Sequence, residues 1–147
     1  ILQPFGCKIL VNDIINFDKF YKRYNIVPVG LDELLKNSEI ISLHIPLDET
    51  TKNIISADKM KLIKSESIII NTARGGLIDE NELKKMLLEN RLAGAALDVF
   101  STEPPEDNEL LNIPNLIATP HIGGSSKEVI ISMGRAAIEG LEKNEIP

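Results

Sequence analysis

Ser67-Ile68-Ile69-Ile70-Asn71-Thr72-Ala73-Arg74-Gly75-Gly76, followed by Asp79-Glu80-Asn81-Glu82, is the stretch that decides the fold. Residues 67–71 form a near-continuous apolar run, the pattern expected of a strand covered on both faces. Asp79 and Glu82 make a capping-box-like helix start, and Leu83, Met86 and Leu87 follow at helical spacing. A short apolar strand that passes through glycines into an amphipathic helix is the repeating step of a parallel α/β sheet.

The same step recurs on either side. Residues 8–11 read as a strand closing on Asn12-Asp13, and Gly6 as a glycine just past a helix end. Residues 31–35 make a short helix, and residues 40–45 a strand ended by Pro46. Ser56 with Asp58 can start a helix through Met60, Leu62 and Ile63, with Lys59, Lys61 and Lys64 on its solvated face. Residues 93–100 form the next strand, whose small residues Ala93, Gly94, Ala95 and Ala96 allow close helix approach. Residues 116–119 are the last strand and residues 125–143 a long helix containing Gly134 and Gly140. The class expected is α/β: a Rossmann-like parallel sheet with helices on both faces, incomplete at its N-terminal edge. Residues 1–147 are read as one partial domain. The opening Ile1-Leu2-Gln3-Pro4-Phe5-Gly6 has no starting Met and no helix cap, so the chain is read as a fragment.

Composition excludes several functions. A net charge of −6, from 16 basic and 22 acidic residues, argues against a nucleic-acid-binding face, which needs clustered Lys and Arg. No apolar run approaches the ~20 residues of a membrane span, and no signal-peptide pattern is present. The single cysteine, Cys7, forms no internal disulfide, fits a reducing, cytoplasmic compartment, and reads as a small buried hydrophobe. Two separated histidines and one cysteine make no metal-ligand cluster.

In such sheets, ligands sit beyond the carboxyl ends of the strands. Asp13, Arg74, Asp98 and His121 fall at those ends, and Glu103 lies a few residues past another. Three segments carry them: residues 71–76; residues 96–105, Ala-Leu-Asp-Val-Phe-Ser-Thr-Glu-Pro-Pro; and residues 119–124, Thr-Pro-His-Ile-Gly-Gly. A cation at such an edge can hold a carboxylate and polarise a carbonyl beside it. Arg74 offers a planar fork for this, and Gly75-Gly76 leave room for substrate to approach. A proton must reach the carbonyl oxygen, and an imidazole with an unperturbed pKa of ~6.5 is suited to deliver it. His121 is the candidate, with Glu103 able to accept a hydrogen bond from the ring and fix its orientation.

Together the three segments resemble the D-isomer-specific 2-hydroxyacid dehydrogenase family, from about Cys7 to the end of the chain. Within it, residues 93–105 and 119–128 are most similar to the phosphoglycerate dehydrogenase branch; glyoxylate and hydroxypyruvate reductases share nearly the same segments. The resemblance implies a catalytic trio of Arg74, Glu103 and His121, and NAD as cofactor. Asp13 ends a strand where a carboxylate can bind the adenosine ribose hydroxyls and repel a 2′-phosphate, which favours NAD over NADP. Asp98 resembles the family's ligand for the nicotinamide carboxamide, and Thr72, Ala73, Gly123 and the neighbouring Gly124 would line the nicotinamide. His44-Ile45-Pro46 resembles the wall of the adenine pocket; His44, in an apolar strand, reads as a packed histidine rather than a catalyst. The family's glycine-rich phosphate turn, G-x-G-x-x-G, is nowhere in this sequence and is expected before Ile1, and a separate substrate domain is also expected outside these residues. As written, the chain is expected to bind NAD poorly and to turn over nothing. The family implies a homodimer and a small 2-hydroxy or 2-keto acid as substrate. A non-catalytic NAD(H)-sensing corepressor on the same domain, and a truncated inactive product, are the alternatives.

Overall fold

A computed structural model describes residues 2–142 of the chain. After a single 3-10 turn, Gln3–Phe5, strands and helices alternate: β1 (Ile9–Val11), α1 (Asp18–Tyr24), β2 (Ile26–Pro28), α2 (Leu31–Asn37), β3 (Ile40–Leu43), α3 (Ala57–Met60), β4 (Ile68–Asn71), α4 (Glu80–Leu88), β5 (Gly94–Leu97), α5 (Asn108–Leu111), β6 (Leu116–Ala118) and α6 (Lys127–Glu142). β3, β4, β5 and β6 lie side by side in that order, all parallel, while β1 and β2 pair in parallel as a separate ribbon. This is the Rossmann-like α/β class read from the sequence. No helix among the described residues is long and apolar enough to cross a membrane.

The core lies on one face of the four-stranded sheet. Strand alternation turns Ile41, Leu43, Ile69, Ala95 and Leu97 toward that face, where they meet Leu35, Met60, Leu83, Met86 and Leu87 from α2, α3 and α4. Each of the Leu, Ile and Met side chains contributes roughly 1.5–3 kcal/mol by leaving water. The alternate residues point the other way: Ile40, Ile68 and Ile117 are 64%, 40% and 68% exposed. The burial on both faces expected of residues 67–71 therefore does not hold: Ile69 and Asn71 are buried, while Ile68 is exposed on the other face. The same alternation corrects the reading of His44, which shares the uncovered face with Ser42. It is exposed rather than packed, and its Nε2 lies 2.9 Å from Ser42 Oγ. Cys7 is also exposed, not buried, because it precedes the two-stranded ribbon, whose own residues are only half covered.

Local chemistry explains most boundaries. Ser56 caps α3 by accepting from the Lys59 amide at 3.3 Å, but the helix stops at Met60. Leu62 and Ile63 continue in tighter i→i+3 turns, donating to the carbonyls of Lys59 and Met60, and reach the core without the helix predicted for them. The lysines read as one helix face instead take separate partners. Lys59 pairs with Asp32, Lys61 with Asp58, and Lys64 with the Asn37 carbonyl. Asp79 caps α4 through the Glu82 amide at 3.1 Å, yet the capping box is only half formed. Glu82 bonds to Arg91, while the Asp79 amide donates to the Ile55 carbonyl. Of the long C-terminal helix, Lys143 lies outside the described residues.

Candidate active site

All four strands of the larger sheet run the same way, so their carboxyl ends form one edge. At the end of β4, buried Asn71 braces the turn that follows. Its Nδ2 donates to the Arg74 carbonyl at 2.9 Å, and its Oδ1 accepts from the Ala73 amide at 3.1 Å. Thr72 and Arg74 are left exposed, with the Arg74 guanidinium donating back to the Ala73 carbonyl at 2.6 Å. Gly75 then meets the neighbouring loop: a Cβ there would stand 1.9 Å from the Phe100 carbonyl oxygen. That space is filled by backbone, so Gly75 serves close approach of two loops rather than substrate entry. Gly76 has a φ of +78°, the left-handed region in which glycine carries no steric penalty.

At the end of β5, Asp98 is 5% exposed and accepts three hydrogen bonds from the last loop. The Thr119 hydroxyl at 2.5 Å and the Ile122 amide at 2.9 Å reach one carboxylate oxygen, and the Gly123 amide at 2.8 Å reaches the other. The Thr119 hydroxyl does most to hold the Asp98 carboxyl below the usual carboxylate range, and the two amides and the charge of His121 add to it. Its bonds span His121, whose φ of 54° is uncommon for a residue with a Cβ. A Cβ on Gly123 would lie 2.9 Å from Asp98 Oδ2, so glycine lets the loop close on the carboxylate. The sequence reading placed Asp98 against the cofactor; what the structure shows is an anchor of the histidine loop.

Glu103 and His121 meet at this anchor. His121 Nδ1 lies 2.8 Å from Glu103 Oε2, and the Phe100 amide donates to Glu103 Oε1 at 3.1 Å. The bond to His121 first, and the Phe100 amide second, hold the Glu103 carboxyl below its ordinary range. An ionised carboxylate only accepts, so Nδ1 carries a proton and Nε2 remains for exchange with a ligand. Both side chains are partly open to solvent, at 48% and 38%. The pair can hold a proton at a defined atom, at the same sheet edge as the Arg74 turn.

Asp13, His44, Pro46 and Gly124 are each exposed. Asp13, just past β1, accepts from the Ile15 amide at 2.9 Å with one oxygen; among the described residues its other oxygen takes no hydrogen bond. The Pro46 carbonyl accepts from the Thr51 hydroxyl at 2.8 Å, while exposed His44 precedes it. Gly124 has open space around it. Asn71 and Thr119 escaped the sequence reading as bracing residues; the only signal was a polar residue at a strand's end.

The NAD binding domain family of D-isomer specific 2-hydroxyacid dehydrogenases matches residues 1–123. The D-3-phosphoglycerate dehydrogenase of Methanocaldococcus jannaschii is 40% identical over 137 residues, covering 89% of this chain and 26% of that protein. The hydroxypyruvate reductase of Thermotoga maritima is 46% identical over 118 residues, 78% of this chain and 38% of that one. A D-lactate dehydrogenase structure with NAD+ from Lactobacillus jensenii superposes with a TM-score of 0.86 at 31% identity, covering 93% of this chain and 45% of that one. The chain thus spans less than half the length of these relatives. With parallel strands, a carboxylate–imidazole pair at their ends and this match, the chain belongs to the D-isomer specific 2-hydroxyacid dehydrogenase family, as its NAD-binding domain.

Proposed function

We propose that the intact protein is an NAD-dependent oxidoreductase interconverting a D-2-hydroxy acid and its 2-keto acid. The observation that carries this reading is the 2.8 Å contact between Glu103 and His121 at the sheet edge that also bears Arg74. NADH, when bound, supplies the hydride to the keto carbon. Arg74 anchors the substrate carboxylate, turning its fork away from the Ala73 carbonyl to do so. His121 gives a proton from Nε2 to the carbonyl oxygen, and Glu103 stabilises and orients the ring. Thr72, Ala73, Asp98, Gly123 and Gly124 line the nicotinamide side, with His44 and Pro46 toward the adenine. Asp13 binds the ribose and selects NAD over NADP by charge.

3-Phosphoglycerate and 3-phosphohydroxypyruvate are the proposed pair, supported by the 40% identity to a phosphoglycerate dehydrogenase. Hydroxypyruvate or glyoxylate is the second reading, favoured by the 46% identity to a hydroxypyruvate reductase. A strand bearing the glycine-rich phosphate turn is proposed to run between β1 and β3, which do not pair with each other. A homodimer is the proposed assembly, by family membership.

The test uses the intact protein carrying this domain, with NADH and 3-phosphohydroxypyruvate, hydroxypyruvate, glyoxylate or pyruvate. Turnover of one keto acid is expected, with His121→Ala lowering kcat/KM by about 10²–10⁴-fold while NADH still binds. NADH binding without turnover of any keto acid would instead favour a sensor of the NADH level.

A further inference from the structure

We propose that Glu80 is a positioning residue for the reaction: from the first turn of α4 it clamps the loop after β5, keeping Glu103 in register with the Arg74 turn. The inference rests on the reading of Glu103 and His121 as the proton-handling pair.

Glu80 Oε1 accepts from both the backbone amide and the hydroxyl of Ser101, at 2.7 and 2.8 Å. Ser101 is where the chain leaves the core. Val99 and Phe100 are buried, whereas residues 101–104 are exposed. The Gly75 backbone packs closely against the same peptide. A Cβ on Gly75 would lie 1.9 Å from the Phe100 oxygen and 2.6 Å from the Ser101 nitrogen. The Phe100–Ser101 peptide is therefore contacted by both the backbone beside Arg74 and the carboxylate of Glu80. Glu103 follows two residues later, and its Oε1 accepts from the Phe100 amide of that segment. Glu103 Oε2 in turn meets His121. One continuous set of contacts thus runs from α4 to the imidazole.

An acidic residue in a helix's first turn has an ordinary explanation in the helix dipole. That explanation covers Glu82 and Glu80 alike, but the two behave differently. Glu82 reaches Arg91, near the far end of its own helix, while Glu80 crosses to the loop of another strand. Glu80 acts through Ser101 and Glu103, and a small displacement there matters because proton transfer depends steeply on geometry.

The experiment compares Glu80→Ala, Glu80→Gln and Ser101→Ala in the intact protein. It reads kcat, KM, NADH affinity, thermal stability and the ring-nitrogen NMR shifts of His121, assigned by their loss in His121→Ala. Glu80→Ala is expected to lower kcat about ten- to a hundredfold, to move the His121 ring from its Nδ1-protonated form toward a mixture of tautomers, and to leave NADH affinity within about twofold. Glu80→Gln keeps an acceptor for both Ser101 donors and is expected to recover most of kcat and the wild-type ring shifts. Ser101→Ala removes one of the two donors and is expected to fall between. Unchanged kcat and ring shifts in Glu80→Ala would overturn the proposal. So would a loss shared equally by Ala and Gln that follows stability and NADH affinity together. If the wild type reduces no keto acid, the dehydrogenase reading fails on its own. The ring-nitrogen shifts then still decide whether Glu80 holds the pair in place.

Discussion

His121 is a turn residue in an unfavourable backbone conformation, and its neighbours make that conformation useful. A left-handed φ of 54° persists because Asp98 ties down the residues on either side, Thr119, Ile122 and Gly123. Asp98→Asn would present an amide nitrogen or lose an acceptor at one of these donors, costing about 2–3 kcal/mol at neutral pH. The sign with pH follows from the lowered Asp98 pKa. A depressed carboxyl stabilises the fold above the unfolded value of ~3.9 and loses that contribution as pH falls through the folded value. The stability gap between wild type and Asp98→Asn should therefore be full at neutral pH and shrink as pH drops below about 4. Urea unfolding across that range checks it, and a constant gap would refute it. Arg74, Glu103 and His121 were picked from the sequence on side-chain chemistry, and the structure brings Glu103 and His121 into contact. The bracing by Asn71 was not legible there, since an Asn at a strand end looks the same whether or not it holds the turn.

Elements were legible where a local signal marked them. The caps at Ser56 and Asp79 both form, and β4 and β5 fall inside their apolar runs. α1 and β2 had no such mark, and α5 escaped the reading although Asp107 caps it through the Leu110 amide. Phe17 gives α1 no side-chain cap, and the helix is held instead by ring contacts of Tyr21 with Phe17 and Phe20. β2 contains Pro28, which argues against a central strand, but among the described residues β2 pairs only with β1, and an edge tolerates proline. α5 is only four residues long, below the length at which periodicity can be read. The junction of two elements is tested by Gly75→Ala. Since its Cβ would overlap the Phe100 carbonyl, the substitution should destabilise the protein by about 3 kcal/mol. Gly124→Ala, with nothing within 4 Å, should stay within about 0.5 kcal/mol. Equal effects in equilibrium unfolding would show that the two loops are not in contact.

At the scale of the whole molecule, the parallel order β3-β4-β5-β6 places the ends of four strands on one edge. NADH binding there should stabilise the intact protein by ~2.7 kcal/mol when NADH is present at about 100 times its Kd. A thermal-unfolding series against NADH measures this, and a midpoint that never moves would argue against a dinucleotide site. Sequence alone determined the α/β class, most strand positions and the residue types at the strand ends. Hydrophobic period, caps and side-chain chemistry are carried by neighbours within a turn or a strand. Only the tertiary structure decided that Glu103 meets His121 across 18 residues, that Asp98 holds the histidine loop across 21 to 25, and that Gly75 is needed by Phe100. It also decided which face of each strand is covered, and so exposed His44. Those outcomes depend on how separate strands align at one edge, a relation that no local stretch of chain contains.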